Sequence, residues 1–232
     1  MKRLRPLCVL AASCIVIAGC AVNSPVTIAD GAVVEGGRTT VNGGISIGSG
    51  CEVRGNCRTV NGRITVDTST KVGALHTVNG SVDIARDVVV AGSVGTVNGT
   101  LSLAENVTVE GDLETVNGAL SCAGGTVTGE ASTVNGTISL AGTRVGGSVS
   151  TTNGAVRLRA GSRVAGDIVI HGAKPHRPAA RPLVITIADN SVVEGDVIVR
   201  DDDRKVQVIL ESGGTVLGNV VNAEVVDRSG GA

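Results

Sequence analysis

The tetrapeptide Thr-Val-Asn-Gly recurs through most of the chain and constrains its fold more than any other feature. Six copies begin at Thr40, Thr59, Thr77, Thr96, Thr115 and Thr133, and a degenerate copy, Thr-Thr-Asn-Gly, ends at Gly154. The motif asparagines stand 18 or 19 residues apart, at Asn42, Asn61, Asn79, Asn98, Asn117, Asn135 and Asn153. A fixed period in this range predicts a solenoid, in which each repeat forms one coil that packs on its neighbours.

Alternating patterns within each repeat predict short strands. The third and fifth residues after each asparagine are apolar, as in Ile45 and Ile47, and the residue between them is polar. This period of two indicates a strand with one buried face. A second apolar stretch surrounds the glycine six residues before each asparagine, as in residues 88–94, and a third strand ends at the motif valine. We therefore predict three short parallel strands per coil around a core of Val, Ile and Leu.

The Asn-Gly step of the motif is predicted to form a corner between two strands. Both residue types tolerate a positive φ, and the flanking strands are too short for a hairpin. In this interpretation the motif valine belongs to the core and the motif threonine ends a strand. The seven asparagines are then structural corner positions and not a ligand motif displayed seven times.

The pattern continues beyond the last motif, so the chain is predicted to be all-β and to form one domain. Residues 185–195 nearly duplicate residues 26–36, and a final turn covers residues 206–221. We predict a single-stranded parallel β-helix of about ten coils over residues 26–226, right-handed, followed by a flexible tail at residues 227–232. Because an 18-residue coil equals three hexapeptides, the left-handed β-helix of acyltransferases remains the alternative fold.

The N-terminus has the features of an export signal. Lys2, Arg3 and Arg5 precede an apolar run that is too short to span a bilayer, and the segment ends in Ile-Ala-Gly-Cys at Cys20. This ending resembles the lipobox of bacterial lipoproteins, which implies removal of residues 1–19 and lipidation, for example with palmitate, of Cys20. Residues 20–25 then form the lipid anchor and a short tether. By resemblance to sorting in other lipoproteins, Ala21 implies attachment to the outer membrane, facing either the periplasm or the cell surface.

Composition narrows the function classes. Three of the 20 basic residues leave with the signal, so the mature chain carries 17 basic and 21 acidic residues, a net charge of −4. No basic patch or aromatic platform for nucleic acid is expected, and the complete lack of Phe, Trp and Tyr weighs against sugar binding by ring stacking. No catalytic set, cofactor site or metal site can be assigned. The three histidines have no identifiable nucleophile and orienting acid as partners.

Two segments interrupt the repeat. Residues 172–182 hold three of the five prolines and must loop out of a coil, because proline cannot donate to a strand ladder. Lys174, His176, Arg177 and Arg181 make this loop basic, so it is either a docking site for an anionic envelope polymer or a tolerated insertion at a corner. The three aspartates at positions 201–203 predict a solvated turn, since alternate spacing would suit calcium better.

The positions of the cysteines within the repeat predict their environments. Cys57 and Cys122 occupy positions that hold leucine or valine in other repeats, so both are predicted to be buried thiols that act as small hydrophobic residues. Cys51 and Cys57 lie on either side of Gly55 within one coil, and an exported protein can form disulfides. The spacing alone does not decide whether Cys51 and Cys57 form a disulfide.

The repeat as a whole resembles an adhesin-type β-strand repeat family of unknown function. The Val-x-Gly-Asp steps, such as residues 109–113 and 193–197, are also similar to bactofilins, the polymer-forming bacterial β-helix proteins. These resemblances imply a non-enzymatic structural, self-associating or adhesin-like role in the cell envelope. Because the lipid holds the first coil at the membrane, we expect homo-association through the C-terminal coil or the lateral faces. An acyltransferase-like enzyme is the alternative.

Overall fold

Three parallel sheets surround one continuous apolar core in the computed structural model, which confirms the predicted parallel β-helix of about ten coils. The structure describes residues 20–21, 23–172, 182–200 and 204–229, and these residues contain no helix. Each complete coil contributes one strand to each sheet, and every strand pairs in parallel with its equivalent in each adjacent coil. Equivalent residues therefore stack about 4.8 Å apart along the axis.

The first sheet contains the motif. Its eleven strands are Cys20–Ala21, Arg38–Thr40, Cys57–Thr59, Leu75–Asn79, Val94–Asn98, Leu113–Asn117, Ala131–Asn135, Val149–Thr151, Ile168–Ile170, Val197–Val199 and Val220–Val221. Its first strand pairs with Thr39 and Thr40, so the coil begins within the segment that the sequence assigned to a tether.

The second and third sheets complete each coil. The second sheet comprises Val26–Ile28, Ile45–Ile47, Ile64–Val66, Val82–Ile84, Leu101–Leu103, Leu120–Ala123, Ile138–Ala141, Val156–Arg159, Leu183–Ile187, Val206–Leu210 and Glu224–Asp227. The third sheet comprises Val33–Glu35, Glu52–Arg54, Lys71–Val72, Val89–Val90, Val107–Val109, Gly125–Val127, Arg144–Val145, Arg163–Val164, Val192–Val193 and Thr215–Val216.

The core consists of apolar columns that run along the axis. Val82, Leu101 and Leu120 are aligned in register in successive coils, and each is fully buried. Burying a side chain of this size contributes about 1.5–3 kcal/mol, so the repeated column is the main source of stability.

The motif side chains point the opposite way from the prediction. The prediction that the motif valine belongs to the core is wrong: Val97 is 37% exposed, whereas Thr96 is only 5% exposed. The reason is alternation along the strand, since Val94 is buried and only every second residue can share its face. The Thr96 hydroxyl donates a hydrogen bond of 2.8 Å to the carbonyl oxygen of Gly80 in the preceding coil, which satisfies the buried polar group.

The motif glycine is required for close stacking and not for a positive φ, so that part of the prediction is also wrong. No motif asparagine or glycine has a positive φ. A Cβ atom on Gly118 would lie 1.7 Å from the carbonyl oxygen of Gly99, a clash that only glycine avoids. Most positive φ values occur instead at the corner between the second and third sheets, as at Ser69 and Asn106.

The glycine six residues before each asparagine lies at a further corner. Residues 88–94, predicted as one strand, divide into Val89–Val90 of the third sheet and the start of Val94–Asn98 of the first sheet. Gly92 lies between them and stacks closely on Ala74, since an added Cβ would be 2.9 Å from the Cβ of that residue. Apolar residues on both sides of the corner produced the appearance of one continuous strand.

Candidate functional site

A ladder of asparagine side chains runs along one corner of the solenoid. The Nδ2 group of each motif asparagine donates a hydrogen bond to the Oδ1 atom of the asparagine in the preceding coil. These bonds measure 2.7–2.9 Å and join Asn23, Asn42, Asn61, Asn79, Asn98, Asn117, Asn135 and Asn153. The seven predicted asparagines thus lie together between the first and second sheets, where each amide keeps a second N–H on an exposed edge.

Both ends of the ladder contain a residue that the sequence analysis missed. Asn23 begins the ladder, and its spacing of 19 residues from Asn42 is the signal that would have identified it. Arg204 ends the ladder, because its Nη1 group donates to Asn153 Oδ1 at 2.9 Å and also to the carbonyl oxygen of Thr152. No sequence pattern links Arg204 to a residue 51 positions earlier.

A stripe of exposed valines lies beside the ladder on the outer surface of the first sheet. Its members are the motif valines Val41, Val60, Val78, Val97, Val116 and Val134, of which the last five are 37–40% exposed. We call this set the valine stripe. Repetition places apolar side chains about 4.8 Å apart on a flat face, which is unusual for a surface in contact with water alone.

The second outward column of the same sheet carries varied residues. Two residues before each valine of the stripe stand Thr39, Arg58, His76, Gly95, Glu114 and Ser132, aligned in register. We call this set the mixed column. Within the described part of the chain neither Arg58 nor Glu114 forms an ion pair, and no ion pair crosses this face.

His76 is half-buried within the mixed column. Burial, together with the charge of Arg58, lowers the pKa of this imidazole, and the charge of Glu114 opposes the shift. The ring rests against Gly95, since a Cβ atom there would be 2.9 Å from His76 Nδ1. The half-buried imidazole therefore favours its neutral form and packs against Gly95.

A polar groove of about 540 Å³ follows the corner between the second and third sheets. It lies where two coils are one residue shorter than their neighbours, and Gly124, Gly142 and Gly161 line it with backbone. Arg144 and Arg163 border the groove, and Arg163 is paired with Glu194 at 2.8 Å. Arg144 makes no ion pair with any described residue.

Cys51, Cys57 and Cys122 are buried free thiols. Cys57 and Cys122 lie in the core as predicted, and burial raises the pKa of the Cys57 thiol to about 11 and raises that of Cys122 as well. Cys51 donates a hydrogen bond to the carbonyl oxygen of Ala29 at 3.1 Å. The bridge between Cys51 and Cys57, which spacing left open, is absent: both thiols are free, and Cys51 precedes the strand Glu52–Arg54 of the third sheet whereas Cys57 begins the strand Cys57–Thr59 of the first sheet.

Other sequence candidates fall partly or wholly outside the described residues. Lys174, His176, Arg177 and Arg181 of the basic loop lie outside them, as do the aspartates at positions 201–203. Among the residues that the structure covers, no cluster of three or more His, Cys, Asp or Glu side chains could hold a metal ion. The residues that the structure describes include no helix of the length and apolar character needed to cross a membrane.

The C-terminal coil exposes apolar residues at the end of the rod. Leu217 is 67% exposed, Val221 41% and Val225 47%, and no described residue covers them. This end presents unpaired strand edges as well as apolar side chains, a combination that favours contact with another surface.

The fold and its surfaces define a repetitive β-solenoid with one flat face, which carries an asparagine ladder and a valine stripe. Comparisons with protein-family models, curated proteins and solved structures found no match for this chain.

Proposed function

We propose that this chain is a non-catalytic β-solenoid lipoprotein of the bacterial cell envelope, attached to the outer membrane through a lipid on Cys20. The observation that carries the proposal is the sequence around that cysteine, in which a basic start, a short apolar run and Ile-Ala-Gly-Cys occur in order. The described structure is compatible with it, because the backbone at Cys20 begins the first strand of the rod. The lipid would then be joined directly to the first coil.

The rod has a structural, self-associating or adhesin-like binding role in this proposal. The flat face of the first sheet and the apolar C-terminal coil support it, since both are surfaces on which another molecule can pack. An anionic envelope polymer at the basic loop of residues 172–182 remains part of the proposal. The acyltransferase-like alternative predicts turnover of acyl donors by purified mature protein.

Metabolic labelling tests the lipid attachment. Cells that express the full chain are given labelled palmitate, and the wild type is compared with Cys20→Ser and with the matched control Cys57→Ser. We expect label in the wild type and in the control and none in Cys20→Ser, with the labelled protein in the outer-membrane fraction. Label that persists in Cys20→Ser, or an unlabelled wild type, would contradict the proposal.

A further inference from the structure

We propose that the outer face of the first sheet is a homodimer interface, in which the valine stripes of two copies pack together with the solenoid axes antiparallel. This inference makes the self-association of the proposed function specific, yet it does not depend on lipid attachment. The valine stripe extends over six of the coils of this sheet; the strand Cys20–Ala21 precedes it, and Thr152, whose carbonyl oxygen accepts from Arg204, takes the place of the next valine. A second copy of this chain is the occupant that its periodicity, symmetry and charge fit best.

The periodicity of the face matches that of another solenoid of the same kind. The six valines of the stripe repeat about every 4.8 Å, so a partner that fills the gaps between them must have the same spacing. Identical strands with a common repeat can interdigitate their side chains along the whole length of a shared face. A second copy has the same valines at the same intervals.

The mixed column is complementary to itself when its order is reversed. Counted from its centre, between His76 and Gly95, opposite positions hold a large and a small residue. The next pair outward is Arg58 and Glu114, which carry opposite charges, and the outermost pair is Thr39 and Ser132, which are both small hydroxyl residues. Reversal therefore places each side chain of the column opposite a suitable partner.

A two-fold axis parallel to the strands produces this reversal. Such an axis inverts the direction of the solenoid but keeps each column opposite itself, so the valine stripe faces the valine stripe. Arg58 of each copy then faces Glu114 of the other, which gives two equivalent ion pairs, as a closed two-fold interface requires. An axis along the solenoid would instead place Arg58 opposite Val60 of the other copy and leave the charges unpaired.

The charges of Arg58 and Glu114 do not compensate one another within one chain. They stand three coils apart, which is about 14 Å, beyond the Debye length at physiological salt. Neither is paired with another described residue, so both are available to a second copy.

The size of the face predicts a weak dimer. It measures about 29 Å along the axis and about 10 Å across, which is less than the roughly 800 Å² per partner of a typical stable interface. Confinement to a membrane would raise the effective concentration and favour pairing. In the antiparallel arrangement the two first coils lie about 34 Å apart, so both lipids reach one bilayer only if the rods lie along its surface.

Sedimentation equilibrium of the non-acylated mature chain with Cys20→Ser tests the proposal. Wild type, Arg58→Glu, Glu114→Arg and the double exchange are compared at concentrations up to about 1 mM, where a weak interface is populated. We expect the wild type to dimerise, each single variant to weaken the dimer about tenfold or more, and the double exchange to restore it. Because the two residues are too far apart to interact within one chain, such rescue can arise only between copies.

Several results would overturn the proposal. If the wild type stays monomeric at the highest concentration, the chain does not form the proposed dimer. If all four proteins associate equally, the contact does not use the outer face of the first sheet. Loss of association in the matched control Leu217→Lys, with Arg58→Glu unaffected, would assign the contact to the C-terminal coil. Far-UV circular dichroism verifies folding, since the chain lacks aromatic residues for fluorescence. Palmitate labelling is independent of all these results, so failure of the dimer and failure of the lipoprotein proposal are distinguishable.

Discussion

At the scale of single residues, the position of a side chain along its strand decides its role. Thr96 lies inside the first sheet and bonds the Gly80 carbonyl, whereas its neighbour Val97 lies outside. Thr96→Val should lower the free energy of unfolding by about 1 kcal/mol, because it removes the hydrogen bond at nearly constant volume. The matched change Val97→Thr should stay within about 0.5 kcal/mol of the wild type. Denaturation followed by far-UV circular dichroism measures both, and a larger cost for Val97→Thr would contradict the orientation.

Cys57 provides a test of core burial through pH. Its folded thiol keeps its proton up to a pKa of about 11, whereas the unfolded thiol ionises near its ordinary value of 9.0. The contribution of this thiol to the free energy of unfolding is therefore complete below pH 9. It is lost as the pH rises towards 11, because only the unfolded thiol ionises in that range, and the free energy of unfolding falls by about 2–3 kcal/mol. Urea titrations from pH 8 to 11 in a Cys122→Val background measure this, and the additional change Cys57→Val should remove that part of the fall. An equal fall in both proteins would show that Cys57 is not its source.

At the scale of elements, the asparagine ladder links neighbouring coils through exposed side chains. Asn98 donates to Asn79 and accepts from Asn117, each at 2.9 Å. Asn98→Asp should destabilise the fold by about 1 kcal/mol, because it replaces the donor with a second acceptor that faces Asn79 Oδ1.

The matched variant Asn153→Asp should cost less, because its new charge meets Arg204 Nη1. Chemical denaturation measures both variants, and high salt should reduce the difference between them. Equal losses at the two positions would contradict the role assigned to Arg204.

The strands themselves were predictable because alternation is a local signal. Residues three and five after each asparagine became buried positions of the second sheet, as in Leu101–Leu103. The orientation of the motif was not predictable from residue type, because a buried threonine and an exposed valine reverse the usual preference. The corner at Gly118 was predicted, but its cause, contact with the preceding coil, requires knowledge of the stacking.

At the scale of the whole molecule, stacking in register generates every surface described above. The asparagine ladder, the valine stripe and the mixed column exist only if each coil lies directly above its predecessor. The two ends of the rod carry different residues, because the first coil begins at Cys20 and the last coil exposes Leu217. Arg204 depends on the same stacking, because one coil separates it from Asn153.

The most direct test of this account is short-range cross-linking of engineered cysteines on the second sheet. Ser102 and Ser121 are register partners in adjacent coils, so their Cα atoms lie about 4.8 Å apart, whereas Ser102 and Ser139 are two coils and about 9.6 Å apart. A thiol reagent that spans about 5 Å should join Ser102→Cys to Ser121→Cys but not Ser102→Cys to Ser139→Cys. Mass spectrometry of the digested protein identifies the linked peptides. Failure of the first pair to link, or equal linking of the second, would contradict the stacked solenoid.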